Sequence, residues 1–262
     1  MAIQPIATSV PRHVAFLKTE GRVFSAISGD PDLDSPLRFS AAANLLQALW
    51  FHFPKDARRW VRNRIETSEP RNLMAQSFKK LIGKRISYDS FNPYPDAIQL
   101  DFDEKHGLED SRIDTGKFPR ATGDFPGLLL KEARGANRSE KRFENDREVS
   151  AALVSASGEI LTAHRNGNRL IRSRHAEIQV CNDWWLKNKS PFPKGSRLWV
   201  SLQCCEMCAV AVASLAAGKP LRTEKDFPQG IDFQVLYLKK ETCGSAANSV
   251  LRALGLERAY KT

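Results

Sequence analysis

The sequence predicts an α/β protein: an α/β/α layered mixed sheet over residues 148–262, preceded by a smaller α+β domain over residues 1–130. Three observations carry this. The second half alternates apolar strands with helical segments in the order β-hairpin, α, β, α, β, α. A strand–helix–strand unit of that kind gives parallel neighbours through a right-handed crossover. Between the halves, residues 131–147 are densely charged with mixed signs and read as a linker or a solvated helix.

The elements follow in order. HVAFLKTEGRVFSAISG places two apolar runs around Glu20 and Gly21, a hairpin signal. SAAANLLQALWFHF (40–53) starts on a Ser, has Ala/Leu-rich helical periodicity and stops at Pro54. PKDARRWVRNRIE (54–66) opens with Pro at a first turn and reads as a second helix. Lys55, Arg58, Arg59 and Arg62 would share one face of it, a solvated row before it is a phosphate site. RNLMAQSFKKLIG is a third helix ended by Gly83. RISYDSF and AIQLDFD read as short strands. EVSAALVSASGEILTAHRN (148–166) is a hairpin around Ser157 and Gly158. HAEIQVCNDWWLKN is a helix burying Ile178, Cys181 and Trp185, RLWVSL a strand, and CEMCAVAVASLAAG a helix closed by Gly218. FQVLYL and SAANSVLRALG give one more strand and helix.

Composition narrows the function classes. A 42% apolar fraction supports a sizeable core, and 27% charged residues is ordinary for a soluble chain. No run approaches 18 uncharged apolar residues, and the N-terminus lacks a basic start followed by an apolar stretch, so neither a membrane span nor a secretory signal is expected and cytoplasmic residence is the default. The charge is asymmetric. Residues 1–130 hold 18 Lys and Arg against 16 Asp and Glu, a balance of +2; residues 131–262 hold 22 against 14, or +8. Such a balance attracts a polyanion.

Five cysteines in a chain of this length do not suggest a disulfide scaffold. Three of them, however, fall within SLQCCEMCAV. Cys205 and Cys208 are spaced C-x-x-C where a strand should end and a helix begin, a place that stabilises thiolates. One turn of helix puts both sulfurs on one side. A redox pair shares this spacing, but the thioredoxin-like context is missing. Zinc takes four tetrahedral ligands, of which two thiolates supply half. About 30 residues upstream, His175-Ala176-Glu177 stands at another loop-to-helix junction. His175 offers a third ligand. Glu177 can approach the fourth position without ligating, leaving that position to water.

H-x-E followed by C-x-x-C is the signature of zinc deaminases. RHAEIQV and LWVSLQCCEMCAVAV resemble the cytidine deaminase-like superfamily, and within it the tRNA adenosine deaminases and related enzymes acting on nucleic acid. The resemblance covers about residues 145–255. It implies Zn2+ as cofactor, His175, Cys205 and Cys208 as its ligands, Glu177 as the catalytic proton carrier, and Asn166 at the end of the hairpin as a substrate contact. It also implies that backbone N–H groups at Ala176 and Cys205 orient the intermediate. Two departures stand out. The family proline before the first cysteine ligand is Cys204 here, expected to pack rather than ligate. Only about seven residues follow the last helix, so the fifth strand of such enzymes is either a stub over residues 257–261 or absent, with the N-terminal domain covering that sheet edge.

The expected reaction is hydrolytic deamination of adenine or cytosine in RNA, tRNA or single-stranded nucleic acid. Arg169, Arg172 and Arg174 flank the expected entrance and would hold phosphates. Trp184 and Trp185 could stack a base, though core positions suit them better. Cys181, Cys243 and His164 are read as structural. Two other readings share the motif: a deaminase of free nucleosides, nucleotides or bases, and a zinc-stabilised binder of nucleic acid without turnover. A homodimer, or a partner held by the N-terminal domain, is compatible with both halves.

Overall fold

A computed structural model describes residues 13–29, 38, 40–60, 63–82, 86–87, 93–103, 105, 108–116, 118–135, 147–167, 174–221, 223–242 and 249–259. Two five-stranded mixed sheets with helices form the protein.

The first sheet begins with the expected hairpin, β1 (Val14–Thr19) and β2 (Arg22–Ile27). Its two-residue turn places Glu20 at φ 46° and Gly21 at φ 77°. Two consecutive positive φ values match the right-handed twist of the strands they join. The helix α1 (Ala41–His52) starts where the sequence suggested: the Ser40 hydroxyl accepts the Ala43 N–H at 3.1 Å. Buried Glu69 supports the same end, accepting from the Ala41 N–H at 2.9 Å and the Ser40 hydroxyl at 2.9 Å. The helix expected over residues 54–66 is a correction. Among its described residues only α2 (Ala57–Trp60) is helical, and Ile65–Thr67 is a strand, β3, paired antiparallel to β1. Ile65 and Thr67 alternate into the core, so burial against α1 overrides local helical periodicity. Arg59 of the predicted basic row pairs with Glu20 and Asp56. Arg62 lies outside the described residues. The third helix is α3 (Leu73–Ile82), and two-residue strands β4 (Ile86–Ser87) and β5 (Ile98–Gln99) complete the order β4-β3-β1-β2-β5.

The second sheet contains the hairpin β6 (Ser150–Val154) and β7 (Ile160–Arg165), then β8 (Ser196–Gln203), β9 (Phe233–Thr242) and β10 (Glu257–Ala259), in the order β10-β9-β8-β6-β7. The β8–β9 and β9–β10 pairs are parallel, the rest antiparallel. Thus the residues after the last helix do form a fifth strand, three residues long, aligned with Val235–Tyr237. Helices α6 (Ala176–Asn188), α7 (Glu206–Ala217) and α8 (Ser249–Ala253) pack together; α6 covers one face of the hairpin strands, and α3 of the first half packs on α7.

Along β6, Ala151 and Leu153 join the core on that helical side, while Ala152 and Val154 face a second cluster. That cluster is closed by a helix the sequence reading did not separate from its charged surroundings, α5 (Phe125–Gly135). Phe125 meets Trp199 edge-on at 5.6 Å between ring centres. Before α5, residues 112–116 and 118–121 run along the outer edge of β7: the Ile113 N–H donates to the Ala163 carbonyl at 2.9 Å and the Ala121 N–H to the Gly158 carbonyl at 2.8 Å. The sheet edge is thereby covered by chain from upstream of residue 148. Phe125→Ala should cost about 3 kcal/mol of stability, a value set by large-to-small core changes; urea unfolding of the full chain measures it. No helix of the described residues is long and apolar enough to cross a membrane.

Candidate active site

Two helix starts face each other at the carboxyl end of β8. His175 is the N-cap of α6 (φ −66°, ψ 157°), and Cys205 is the N-cap of α7 (φ −72°, ψ 168°). Neither side chain caps its own helix. Caps are normally Ser, Thr, Asp or Asn, which bond the free N–H groups of the first turn. Here His and Cys stand at those positions and point at each other. The Ala176 N–H at the start of α6 goes instead to the Asn166 side-chain oxygen, at 2.8 Å.

His175 Nδ1 lies 3.4 Å from Cys205 Sγ and 3.4 Å from Cys208 Sγ, and the two sulfurs are 3.4 Å apart. A disulfide would bring sulfurs to about 2.05 Å, and these cysteines are free. A tetrahedral zinc with bonds of about 2.3 Å to sulfur and about 2.0 Å to nitrogen sets its ligands roughly 3.5–3.8 Å apart. The triangle has nearly that size. Among the described residues it is also the one cluster able to supply three ligand atoms to a metal. Cys204 is buried in the main core and takes no part in the triangle.

The electrostatics agree with a cation-binding role. The contact with Cys208 and the nearby His175 ring, set against opposing burial, hold the Cys205 thiol well below the usual thiol range. Burial and the neighbouring Cys205 push Cys208 well above it. Two adjacent thiolates repel each other; a dication between them removes the conflict. Beside them sits Glu177, buried in the first turn of α6. Its Oε2 has no hydrogen-bond partner among the described residues. Burial, helped by the charge of Cys205, pushes this carboxyl up, while His175 and a hydrogen bond with Cys204 oppose the rise. An orphaned buried oxygen beside a ligand triangle fits a metal with a water in its open position, and the chemistry of the His, Cys, Cys donor set fits zinc.

Residues 140–262 match the sequence model of the Bd3614-like deaminases. No curated protein is significantly similar in sequence to the chain. Among solved structures, the chain is similar to one from a study of A-to-I editing by tRNA:A34 deaminases at the wobble position of transfer RNA (24% identity, 52% of this chain and 90% of that one, TM-score 0.36). Another is the dCMP deaminase of the cyanophage S-TIM5 in apo form (21% identity, 53% of this chain and 98% of that one, TM-score 0.34).

Within the matched segment the expected substrate contacts have other partners. Asn166 is nearly buried, and both ends of its carboxamide are engaged, Oδ1 by the Ala176 N–H and Nδ2 with the Arg147 carbonyl at 2.5 Å. In this arrangement it braces the start of α6. The Ala176 N–H, expected to face an intermediate, is already taken. Arg174 is a correction: it is 3% exposed, and its guanidinium donates to the Asp103 carbonyl at 2.7 Å and to Gln179 Oε1 at 3.3 Å. A side chain committed inward in this way is not presented to phosphates. Arg169 and Arg172 lie outside the described residues, as does Cys243. Trp184 and Trp185 pack against the main core, and Trp184 Nε1 donates to the Ser190 carbonyl at 2.9 Å, a structural use of both rings.

Sequence reading missed the polar interior of the domain. Asp183 accepts from Thr162 Oγ1 (2.6 Å), Lys187 Nζ (2.8 Å) and Arg112 (2.7 Å), and His164 Nε2 stands 3.4 Å away. The local signal in the sequence is the i, i+4 spacing of Asp183 and Lys187 on α6, which pair in the structure. Burial pushes the Asp183 carboxyl up, but bonds from His164, Lys187 and Thr162 outweigh it and hold the group far below the usual carboxylate range. Burial, against the pull of Asp183, lowers His164. Both signs favour the fold at higher pH. The contribution of Asp183 is complete above its unfolded pKa of about 3.9 and is lost as pH falls below it; that of His164 declines from about pH 6.5 downward. Asp183→Asn should therefore lower stability at pH 7 and flatten the acid limb below about pH 4, read from urea midpoints across pH.

Proposed function

We propose that this domain is a zinc-dependent hydrolytic deaminase of a nucleobase, adenine or cytosine, carried in RNA, tRNA or single-stranded nucleic acid. The observation that carries the reading is the equilateral triangle of His175 Nδ1, Cys205 Sγ and Cys208 Sγ beside the orphaned Glu177 Oε2. These three atoms would hold the zinc. Bound there, zinc lowers the pKa of water from about 15.7 toward about 7 and makes it a nucleophile at neutral pH.

The remaining work falls to this chain's own side chains. Glu177 Oε2 takes a proton from the attacking water and delivers it to the ring nitrogen next to the amine-bearing carbon. That carbon becomes tetrahedral. Glu177 then moves the second proton from the new hydroxyl to the exocyclic nitrogen, the C–N bond breaks, and ammonia leaves as the carbonyl forms. Asn166 holds the first N–H of α6 and so keeps His175 and Glu177 in register. The excess of 22 basic over 14 acidic residues in 131–262 supports a polyanionic substrate.

The test is a deamination screen. Zinc-loaded full chain and its Glu177→Ala variant are incubated with tRNA, single-stranded RNA, single-stranded DNA and free nucleosides. Sequencing and mass spectrometry then report inosine or uracil. A Glu177-dependent product in a polymer pool is expected. Product from free nucleosides alone would overturn the polymer assignment. Silence in every pool, with zinc bound, would overturn the enzyme assignment in favour of a zinc-stabilised binder.

A further inference from the structure

The metal-binding corner of α6 is held by chain from outside the matched deaminase segment. Arg174 directly precedes His175. Its guanidinium is fixed by the Asp103 carbonyl and by Gln179 Oε1, and its own carbonyl accepts the Gly167 N–H at 2.8 Å. Gln179 is fully buried one turn into α6, where its N–H donates to the His175 carbonyl at 3.0 Å. The other end of its carboxamide donates to Ser111 Oγ at 3.1 Å. Ser111, in the short helix α4 (Leu108–Ser111), is in turn 2.9 Å from the Leu108 carbonyl and 2.9 Å from His164 Nδ1. Gly167 closes over this chain: a Cβ there would lie 2.7 Å from Gln179 Nε2.

We propose that Arg174, Gln179 and Ser111 are positioning residues for the metal centre, anchoring His175 and Glu177 to the segment that carries Asp103 and Ser111. The proposal rests on the zinc-deaminase reading above. A guanidinium is costly to bury, and an apolar side chain would fill the same space more cheaply. A fork that grips backbone on one side and helix α6 on the other fixes direction as well as volume. The His175 side chain makes no capping bond to the helix it starts. The supporting groups of a metal ligand ordinarily set its affinity. Here that support comes from Asp103 and Ser111, so the working unit extends upstream of the matched residues 140–262.

The full chain is compared with Arg174→Met, Arg174→Lys and Ser111→Ala. The readouts are zinc affinity by competition with a chromophoric chelator, the visible spectrum of the cobalt-substituted protein, and unfolding temperature in excess chelator. Arg174→Met is expected to weaken zinc binding about tenfold and Ser111→Ala several-fold, with altered cobalt spectra. Arg174→Lys, which keeps a donor for the Asp103 carbonyl, should recover part of the loss. A merely structural role would lower the metal-free unfolding temperature and leave affinity and spectrum unchanged in the folded variants; that result overturns the proposal. Should Arg174→Met not fold, Ser111→Ala, which removes one oxygen, decides. Wild type that binds no zinc would overturn the zinc reading itself, whereas wild type that binds tightly beside unaltered variants would overturn the positioning proposal alone.

Discussion

Glu177→Ala is expected to lower turnover by about a thousandfold or more while leaving one zinc bound per chain. Positioned acid–base groups contribute roughly 10²–10⁴ to rate, and here one carboxyl serves two successive proton transfers. Zinc content should hold because the ligand triangle closes without Glu177. Folding should hold as well. The carboxyl is buried, and its Oε2 lacks a partner, so its removal relieves a desolvation cost of about 1–3 kcal/mol that offsets the lost packing. Loss of activity with retained zinc and an unfolding temperature no lower than wild type is the signature of a group kept for chemistry at the expense of stability. An active Glu177→Ala protein would remove the proposed mechanism.

The second large effect concerns the metal. Cys208→Ser should abolish activity and release zinc, and it should uncouple stability from metal. For wild type, zinc at about a thousand times its Kd adds roughly 4 kcal/mol to the folded state, so a chelator should lower the unfolding temperature sharply. Cys208 is fully buried in the first turn of α7, where its sulfur completes the triangle. Serine there is a poor zinc ligand, and the variant should unfold at one temperature with or without chelator. Differential scanning calorimetry at matched zinc activities gives the comparison. A wild type whose stability ignores both zinc and chelator would argue against any metal at this site.

The features visible in the sequence were those whose cause lies within one turn of helix or one hairpin. Glu20 and Gly21 make a tight turn because two adjacent residues must take positive φ. Ser40 starts a helix because its hydroxyl reaches an N–H three residues on. Cys205 and Cys208 share a face because a helix turns once in 3.6 residues. His175 and Glu177 were legible for a related reason: the motif is short, and each half sits at a junction that local patterning marks.

The tertiary structure decided the rest, because burial and pairing partners are set by residues distant in sequence. Residues 65–67 are a strand only because β1 lies beside them. Helix α5 covers the far face of the second sheet because Phe125 meets Trp199, 74 positions later in the chain. Arg174 looked like a phosphate contact in a basic loop; its carbonyl and carboxamide acceptors, Asp103 and Gln179, turn it inward. The sequence by itself determined which atoms could hold a metal. Which neighbours orient those atoms, and from how far along the chain they come, was decided only by packing, since a hydrogen bond between residues 71 positions apart leaves no local pattern to read.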